Sequence, residues 1–527
     1  MKEPLVAQRS PTRIEGYARG VKNIDEAITD VGSAADYQQS LLLLFVLQFL
    51  FSAFIEMGFP IIFRPAMLVC PDGSTCTEEV GCSQPGYTVS NVIKSVAYTF
   101  DLVCKDKRLL QICFDAFLYG GLFGSLYYGE IIERKGRRYV VSESMAIMLV
   151  GIVVSLVGGN VTVFSIGVFL INFGFRGYYN AAVLTLTEVT SDNKRLSTPI
   201  ILHIGWAVGQ ISVALLGLFF NDWRVIFVLT GIPLIILTVM AYRNVLESPR
   251  FLVVRHDFFE ARAVLDNISV VNQHPQKAYD LLEEKKYRDQ METYVRMNNG
   301  AEVVAETRHH SYMSLFKYKS IRVRVLAIMY IWSIISLSYF TSANSLLNDK
   351  KSLSFNLALA GAIEIIAYLA AISMSLNAQR LVFIKNLLIY SGLIHLMFYF
   401  VRPIHEYGGF GRLVIMSADI LIRVSMSMGN VFMLIYSLET FPTVVRHFAL
   451  GLLGFVTKSM YVVSIRFINF WAWRDLHPDF IIGVLLLGGL ATIGKLRETK
   501  TYAMRDYLEE DEYGTLMVET KTGLFTS

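Results

Sequence analysis

Residues 129–138 read Gly129-Glu130-Ile131-Ile132-Glu133-Arg134-Lys135-Gly136-Arg137-Arg138. A glycine-spaced apolar segment precedes this stretch and a second apolar segment follows it. Arg134, Lys135, Arg137 and Arg138 therefore sit in a very short turn between two candidate membrane helices. Lysine and arginine in a short loop hold that loop on the cytoplasmic face of a bilayer. A glycine, an acid and a basic run in one turn is more than topology requires.

The composition agrees with a membrane setting. The chain has 527 residues, 54% hydrophobic and only 17% charged, with a mean hydropathy of +0.45. Soluble domains carry roughly 25% charged residues, and a helix that crosses a bilayer needs about 20 mostly apolar ones. Twelve such spans are expected, at 39–62, 109–132, 139–158, 162–187, 199–219, 225–243, 322–342, 355–376, 381–401, 412–436, 448–469 and 480–495. The net charge of +4 gives no reason to invoke nucleic acid.

Orientation follows from the basic residues. Twelve spans put the turn 133–138, Lys194 and Arg195, and the basic segment 244–320 on the side of both termini. That side is expected to be cytoplasmic, with a short N-terminal region 1–38 and a tail 497–527. No cleavable signal peptide is evident in 1–38. The hydrophilic loop 63–108 then faces outside. It holds Cys70, Cys76, Cys82 and Cys104, while Cys113 falls in the second span. An even set of thiols in an oxidising space predicts two disulfides, with three connectivities open.

The segment 244–320 divides the spans six and six, giving one bundle at 39–243 and a second at 321–496. Within it, Phe258, Ala261, Val264, Leu265 and Ile268 recur at helical spacing. Two bundles joined by such a linker suit a duplicated transporter with its substrate held between them near the bilayer midplane. Duplication also predicts a second signature turn between spans 8 and 9. There the chain reads Leu376-Asn377-Ala378-Gln379-Arg380. Only Arg380 is kept, so a charge latch is expected at the first turn, through Glu133 and its basic neighbours, and is missing from the second.

The 129–138 stretch resembles the G-x-x-x-D-R-x-G-R-R signature of the major facilitator superfamily, with Glu133 in the acid position. Three more stretches are similar to those of its organic ion transporter family. They are Leu246-Glu247-Ser248-Pro249-Arg250-Phe251-Leu252, Glu439-Thr440-Phe441-Pro442-Thr443-Val444-Val445-Arg446 and Phe100-Asp101-Leu102-Val103-Cys104. The resemblance implies an all-α membrane protein of twelve helices in two six-helix bundles, working by alternating access at the plasma membrane. Pro249 and Pro442 stop helices at the membrane surface. Glu247, Arg250, Glu439 and Arg446 there read as gating charges or as interfacial anchors, and both readings stay open.

Charges inside spans are costly and mark function by default. Lys458 in span 11 occupies the position that the resemblance makes cationic in organic anion carriers and anionic in organic cation carriers. It lies roughly 18 Å along the helix from Arg446, too deep to snorkel easily. Arg176 in span 4 is a second cationic contact or a structural replacement for an arginine the family places earlier. Asp419 and Arg423, four apart in span 10, are expected to face each other. Glu364 is expected to partner Lys458 or Arg423, or to take up a proton. Glu56 and Asp115 are further buried acids. His203 and His395 titrate in the right range, but a packing role is the better expectation.

The resemblance also implies aromatic cavity walls, from Tyr330, Trp332 and Tyr339 in span 7, with Tyr436 added from span 10. Gly120, Gly121, Gly124 and Gly129 read as close helix packing. No nucleophile–base pair, metal-ligand cluster or phosphate-cradling loop stands out, so no enzyme and no cofactor are expected. The expected partners are a small organic ion, the bilayer and an exchanged or co-transported ion. Organic anions are the expected substrate. A cation or zwitterion carrier, and a transport-dead receptor or scaffold, are the alternatives.

Overall fold

The computed structural model describes residues 20–32, 34–71, 75–76, 78–83, 87–190, 195, 197–274, 279–281, 284–285, 310–317, 319–347, 353–401, 409–472 and 478–500. Most of the expected N-terminal region and tail, Lys194, and linker residues 286–309 lie outside the described residues.

Apolar runs in a bilayer must satisfy every backbone group internally, so they fold as helices. The first six are α1 (Asp36–Glu56), α2 (Lys107–Lys135), α3 (Arg137–Val157), α4 (Val161–Val189), α5 (Ser197–Phe219) and α6 (Trp223–Asn244). The second six are α7 (Lys319–Leu347), α8 (Leu353–Asn377), α9 (Arg380–Val401), α10 (Gly409–Thr440), α11 (Thr443–Ala472) and α12 (Asp479–Gly488). Eleven of these, among the described residues, are long and apolar enough to cross a membrane. The expected span 480–495 is shorter: α12 runs on through Gly489, which keeps helical angles, into a turn at Leu490–Ile493. That unit reaches only about 22 Å at 1.5 Å per residue.

Local chemistry sets the helix ends. Asn160 caps α4 by accepting from the Val163 N–H at 2.9 Å, and Asp222 caps α6 by accepting from Arg224 N–H at 3.0 Å. The turn between α2 and α3 is a single residue, Gly136, at φ +87°. A side chain there would be strained, and its Cβ would stand 2.2 Å from Glu247 Oε2.

α3 and α2 pack on α4, α5 and α6 on α1, and α6 on α3. In the second set, α12 packs on α9, α7 on α10 and α11, and α8 on α10. The sets meet mainly where α2 lies on α11 and α5 on α8. Small residues let α2 and α4 approach: a Cβ on Gly120 would meet the Phe169 carbonyl at 2.1 Å, and one on Gly124 the Phe173 carbonyl at 2.6 Å.

Outside the helices, Cys70 bonds Cys76 and Cys82 bonds Cys104, which selects one of the three connectivities. These bridges pin strands Leu68–Val69, Thr75–Cys76 and Thr88–Val89, an antiparallel sheet with the first in the middle. At the other end, Gly20–Lys22 pairs in parallel with Tyr279–Leu281, and the helix Phe258–Val271 buries Phe258, Ala261, Val264, Leu265 and Ile268. Asn272 ties the two segments together, donating to the carbonyls of Val31 and Gly32 and accepting from the Tyr37 N–H.

Candidate functional site

A cavity of about 190 Å³ lies between the two sets of helices, walled by α1, α4 and α5 on one side and α7, α8, α10 and α11 on the other. Its lining includes the aromatic rings of Phe49, Phe59, Phe175, Tyr179, Trp206, Trp332, Tyr339, Phe340, Tyr368 and Tyr461. The T-shaped and tilted contacts of Phe49 with Phe175, Tyr178, Tyr179 and Trp206 hold one wall. Phe340 stacks on Tyr461 at 4.3 Å across the other. Mostly apolar walls with a few placed polar groups are the usual form of a small-molecule site.

The polar groups are ionic. Lys458 Nζ lies 3.1 Å from Glu56 Oε2, joining α11 to α1 with both groups buried. Arg423 pairs with Glu364, joining α10 to α8; its guanidinium also donates to the Tyr339 hydroxyl at 3.1 Å and lies 4.2 Å from that ring's centroid. Tyr339 in turn donates to Glu364 at 2.6 Å. Arg176 differs. Its guanidinium lies beside the rings of Phe175 and Tyr179 at 5.7 and 5.4 Å, and its Nε has no hydrogen-bond partner. Among the described residues no carboxylate comes within ion-pairing distance of it.

Of the expected contacts, Lys458, Arg176, Trp332 and Tyr339 line the cavity. Glu364 stands behind Arg423 and is fully buried. Tyr330 and Tyr436 do not line it. Tyr330 donates to the Leu485 carbonyl at 3.2 Å, tying α7 to α12, and Tyr436 to that of Arg497 at 2.9 Å. Their aromatic character serves packing, with the hydroxyl satisfying a loose carbonyl. Asp419 is buried, and the expected match of Arg423 to it gives way to Glu364 on another helix. Asp115 meets Arg466 at 3.1 Å across the two sets. Many lining residues escaped the sequence reading, Phe49, Trp206, Tyr368 and Tyr461 among them; Trp206 and Tyr368, for instance, look like ordinary packing residues until α5 and α8 are brought together.

At the end bearing the termini, charges form two matching networks. In the first, Arg137 at the start of α3 makes two 3.1 Å bonds to Glu188 at the end of α4. Glu247, after α6, accepts from the N–H groups of Arg137 and Arg138 at 2.9 and 3.3 Å, capping α3. Burial raises the Glu247 carboxyl above its ordinary range, against the pull of Arg137 and three backbone N–H groups. In the second, Arg380 at the start of α9 lies 3.5 Å from Glu439 at the end of α10. Glu498, after α12, accepts from the N–H groups of Arg380 and Leu381 at 2.9 and 3.0 Å. The turn at 376–380 has thus kept its latch, and the expectation that it was missing is corrected. Its charges come from elsewhere in the chain. Of the missed residues Glu188 and Glu498, the first was findable: Glu188 and Arg195 repeat the seven-residue spacing of Glu439 and Arg446, and Arg195 and Arg446 each donate to a carbonyl five residues back.

The two sets of helices meet beside the first network. Arg446 Nη1 lies 3.8 Å from Glu188 Oε1, and Glu133 lies 3.2 Å from His447 Nε2. Arg134 pairs only with Glu130 one turn back and is exposed, as is Arg138. Arg250 pairs with Asp25 of the N-terminal helix, which Arg195 also reaches at 3.0 Å.

A family model described as sugar (and other) transporter matches residues 83–507. Solute carrier family 22 member 4 of Mus musculus is 24% identical over 409 residues, covering 76% of this chain and 69% of that protein. The organic cation transporter-like protein of Drosophila melanogaster is 25% identical over 435 residues, covering 82% and 75%. The solved structure of the proton:xylose symporter XylE bound to 6-bromo-6-deoxy-D-glucose aligns with a TM-score of 0.61 at 18% identity, covering 89% of this chain and 98% of that one. That likeness speaks for the fold.

Proposed function

The chain belongs to the sugar (and other) transporter family, on the organic ion branch of the major facilitator superfamily, and we propose that it carries small organic anions. It is a multi-pass membrane transporter and not an enzyme. The observation that carries the anion reading is Arg176. Of the three cavity cations, Lys458 and Arg423 each have a carboxylate within ion-pairing distance, while Arg176 has none that near and shares the field of Glu56 with Lys458, so two cations face one acid. A surplus guanidinium beside a single shared acid in a mostly apolar cavity favours an anionic group, which it binds in a fork of N–H donors. The surrounding rings suit an organic body on that anion.

Transport proceeds by alternating access. The bundles 39–243 and 321–496 rock about the cavity, while the linker 244–320 and both termini stay on the cytoplasmic side of the plasma membrane. The Arg446–Glu188 contact holds the termini end closed and parts when it opens. Beside these charges, Glu247 anchors the start of α3, Glu439 lies against Arg380 at the start of α9, and Arg250 pairs with Asp25. Substrate competes with Glu56 for Lys458, so the pair acts as a second, switchable contact.

A cation carrier is the second reading, since Glu56 and Glu364 flank the same space and one relative is named an organic cation transporter-like protein. The scaffold reading, motivated by the reduced turn 376–380 and the altered span 4, loses the first of these motives once Arg380, Glu439 and Glu498 form a second network. A flux panel in proteoliposomes tests the proposal with radiolabelled naphthalenesulfonate, succinate and tetraethylammonium. Uptake of either anion is expected. Uptake of tetraethylammonium alone would give the cation reading.

A further inference from the structure

Where α2 of the first set crosses α11 of the second, a side chain from the linker stands between them. The Tyr312 ring makes a T-shaped contact with Phe448 of α11 at 5.0 Å, and its hydroxyl donates to the Leu126 carbonyl of α2 at 2.6 Å. We propose that Tyr312 is a gate residue of the transport cycle, a staple that holds the termini end shut and leaves its seat each time that end opens. Such a role rests on the alternating-access reading above and not on the charge of the substrate.

The seat is built from small residues of both sets. A Cβ on Gly129 of α2 would meet the Tyr312 hydroxyl at 2.0 Å, and one on Gly451 of α11 would meet it at 2.5 Å. The Gly451 Cβ would also stand 3.2 Å from Gly129 Cα, and a Gly454 Cβ 3.0 Å from Ser125 Oγ. The two helices thus come close enough to touch by their backbones, with space left for one hydroxyl. Close packing explains the glycines. It does not explain a phenol inserted between them from a third segment.

Tyr312 is carried by the second set. The Leu315 N–H donates to the Tyr312 carbonyl at 3.2 Å, and the short helix Ser314–Lys317 that follows packs on α7 and α11 with Leu315 buried. The hydroxyl, by contrast, bonds the first set. Parting α2 from α11 must therefore break the Tyr312–Leu126 bond or pull the buried turn off α7. One hydrogen bond, re-formed with water on leaving, is the smaller loss.

The position suits a gate. Leu450, Leu453 and Gly454 of α11 line the cavity, whereas Tyr312, Gly129 and Gly451 do not. Gly451 lies about 4.5 Å along the helix from Gly454, on the side of the termini. The staple therefore closes part of the floor between the cavity and the termini end. Arg446 and Glu188 meet across the same junction.

Full-length protein in nanodiscs, spin-labelled at Arg243→Cys on α6 and Lys385→Cys on α9, reports the distance across the termini end without any substrate. Both sites are exposed, and Cys113→Ser removes the free thiol. A short distance for the closed end and a minor, longer one for the open end are expected. Tyr312→Phe keeps the ring and loses the bond, so it should raise the long-to-short ratio roughly two- to tenfold, the worth of one net hydrogen bond. Tyr312→Ala should raise it further. Met313→Ala, an exposed neighbour in the same turn, should leave it unchanged. Gly129→Ala should raise the ratio by driving the hydroxyl out, and added to Tyr312→Ala it should change the ratio less than twofold. Two distances whose ratio ignores Tyr312→Phe and Tyr312→Ala would overturn the staple and leave alternating access standing. So would a Gly129→Ala effect that adds in full to Tyr312→Ala. One unchanging distance in every variant would overturn both.

Discussion

At the scale of single residues, the cavity is decided by which charges have partners. Lys458 and Glu56 lie 3.1 Å apart and almost sealed from solvent. Removing one member of a buried pair leaves an uncompensated charge at a cost of about 3–5 kcal/mol, whereas replacing both by apolar groups is often neutral. Lys458→Met is therefore expected to lower the thermal midpoint of the purified protein sharply, and adding Glu56→Leu should restore most of it. A single variant as stable as the natural chain would show that the pair is not formed. Sequence placed Lys458, Arg423, Glu364 and Glu56 inside the membrane and offered Arg423 as one of two partners for Glu364, the pair that forms, but did not match Lys458 with Glu56. Four-residue spacing pointed Arg423 at Asp419, because spacing sees only one helix. Its contact with Glu364 depends on how α8 and α10 are brought together.

At the scale of elements, each helix start that bears a signature arginine is capped by a glutamate from a distant segment: Glu247 for α3 and Glu498 for α9. A carboxylate accepting two backbone N–H bonds at a helix N-terminus also meets the positive end of the helix dipole. Glu498→Gln is expected to cost about 1–2 kcal/mol, much as Glu247→Gln does. If Glu498→Gln costs nothing while Glu247→Gln destabilises, the two networks are not equivalent. The second was illegible locally because the turn 376–380 keeps only Arg380, and its acids, Glu439 and Glu498, lie 59 and 118 residues beyond Arg380. Gly129 belongs to this scale too. The linker's Tyr312 reaches between α2 and α11, donates to the Leu126 carbonyl at 2.6 Å, and would meet a Cβ on Gly129 at 2.0 Å. Gly129→Ala should displace that ring and speed limited proteolysis of the linker, and Tyr312→Ala should mask any further effect of it. Unchanged proteolysis in Gly129→Ala would mean the linker does not depend on this seat.

At the scale of the whole molecule, hydropathy disclosed the helical layout because a bilayer leaves backbone few other solutions. The last helix fell short because apolar length alone cannot register the brevity of Asp479–Ile493. The two sets of helices are joined at the termini end by Arg446–Glu188 and at the opposite end by Arg466–Asp115, with the cavity between. What the cavity selects is the central claim, and it rests on Arg176. The most direct measurement is the ratio of naphthalenesulfonate to tetraethylammonium uptake in the same proteoliposomes, for the natural chain and for Arg176→Gln. The account predicts a ratio well above one that falls at least tenfold in the variant, the loss of one charge-assisted contact of about 1.5–3 kcal/mol. A ratio below one in the natural chain, or one untouched by Arg176→Gln, would contradict it.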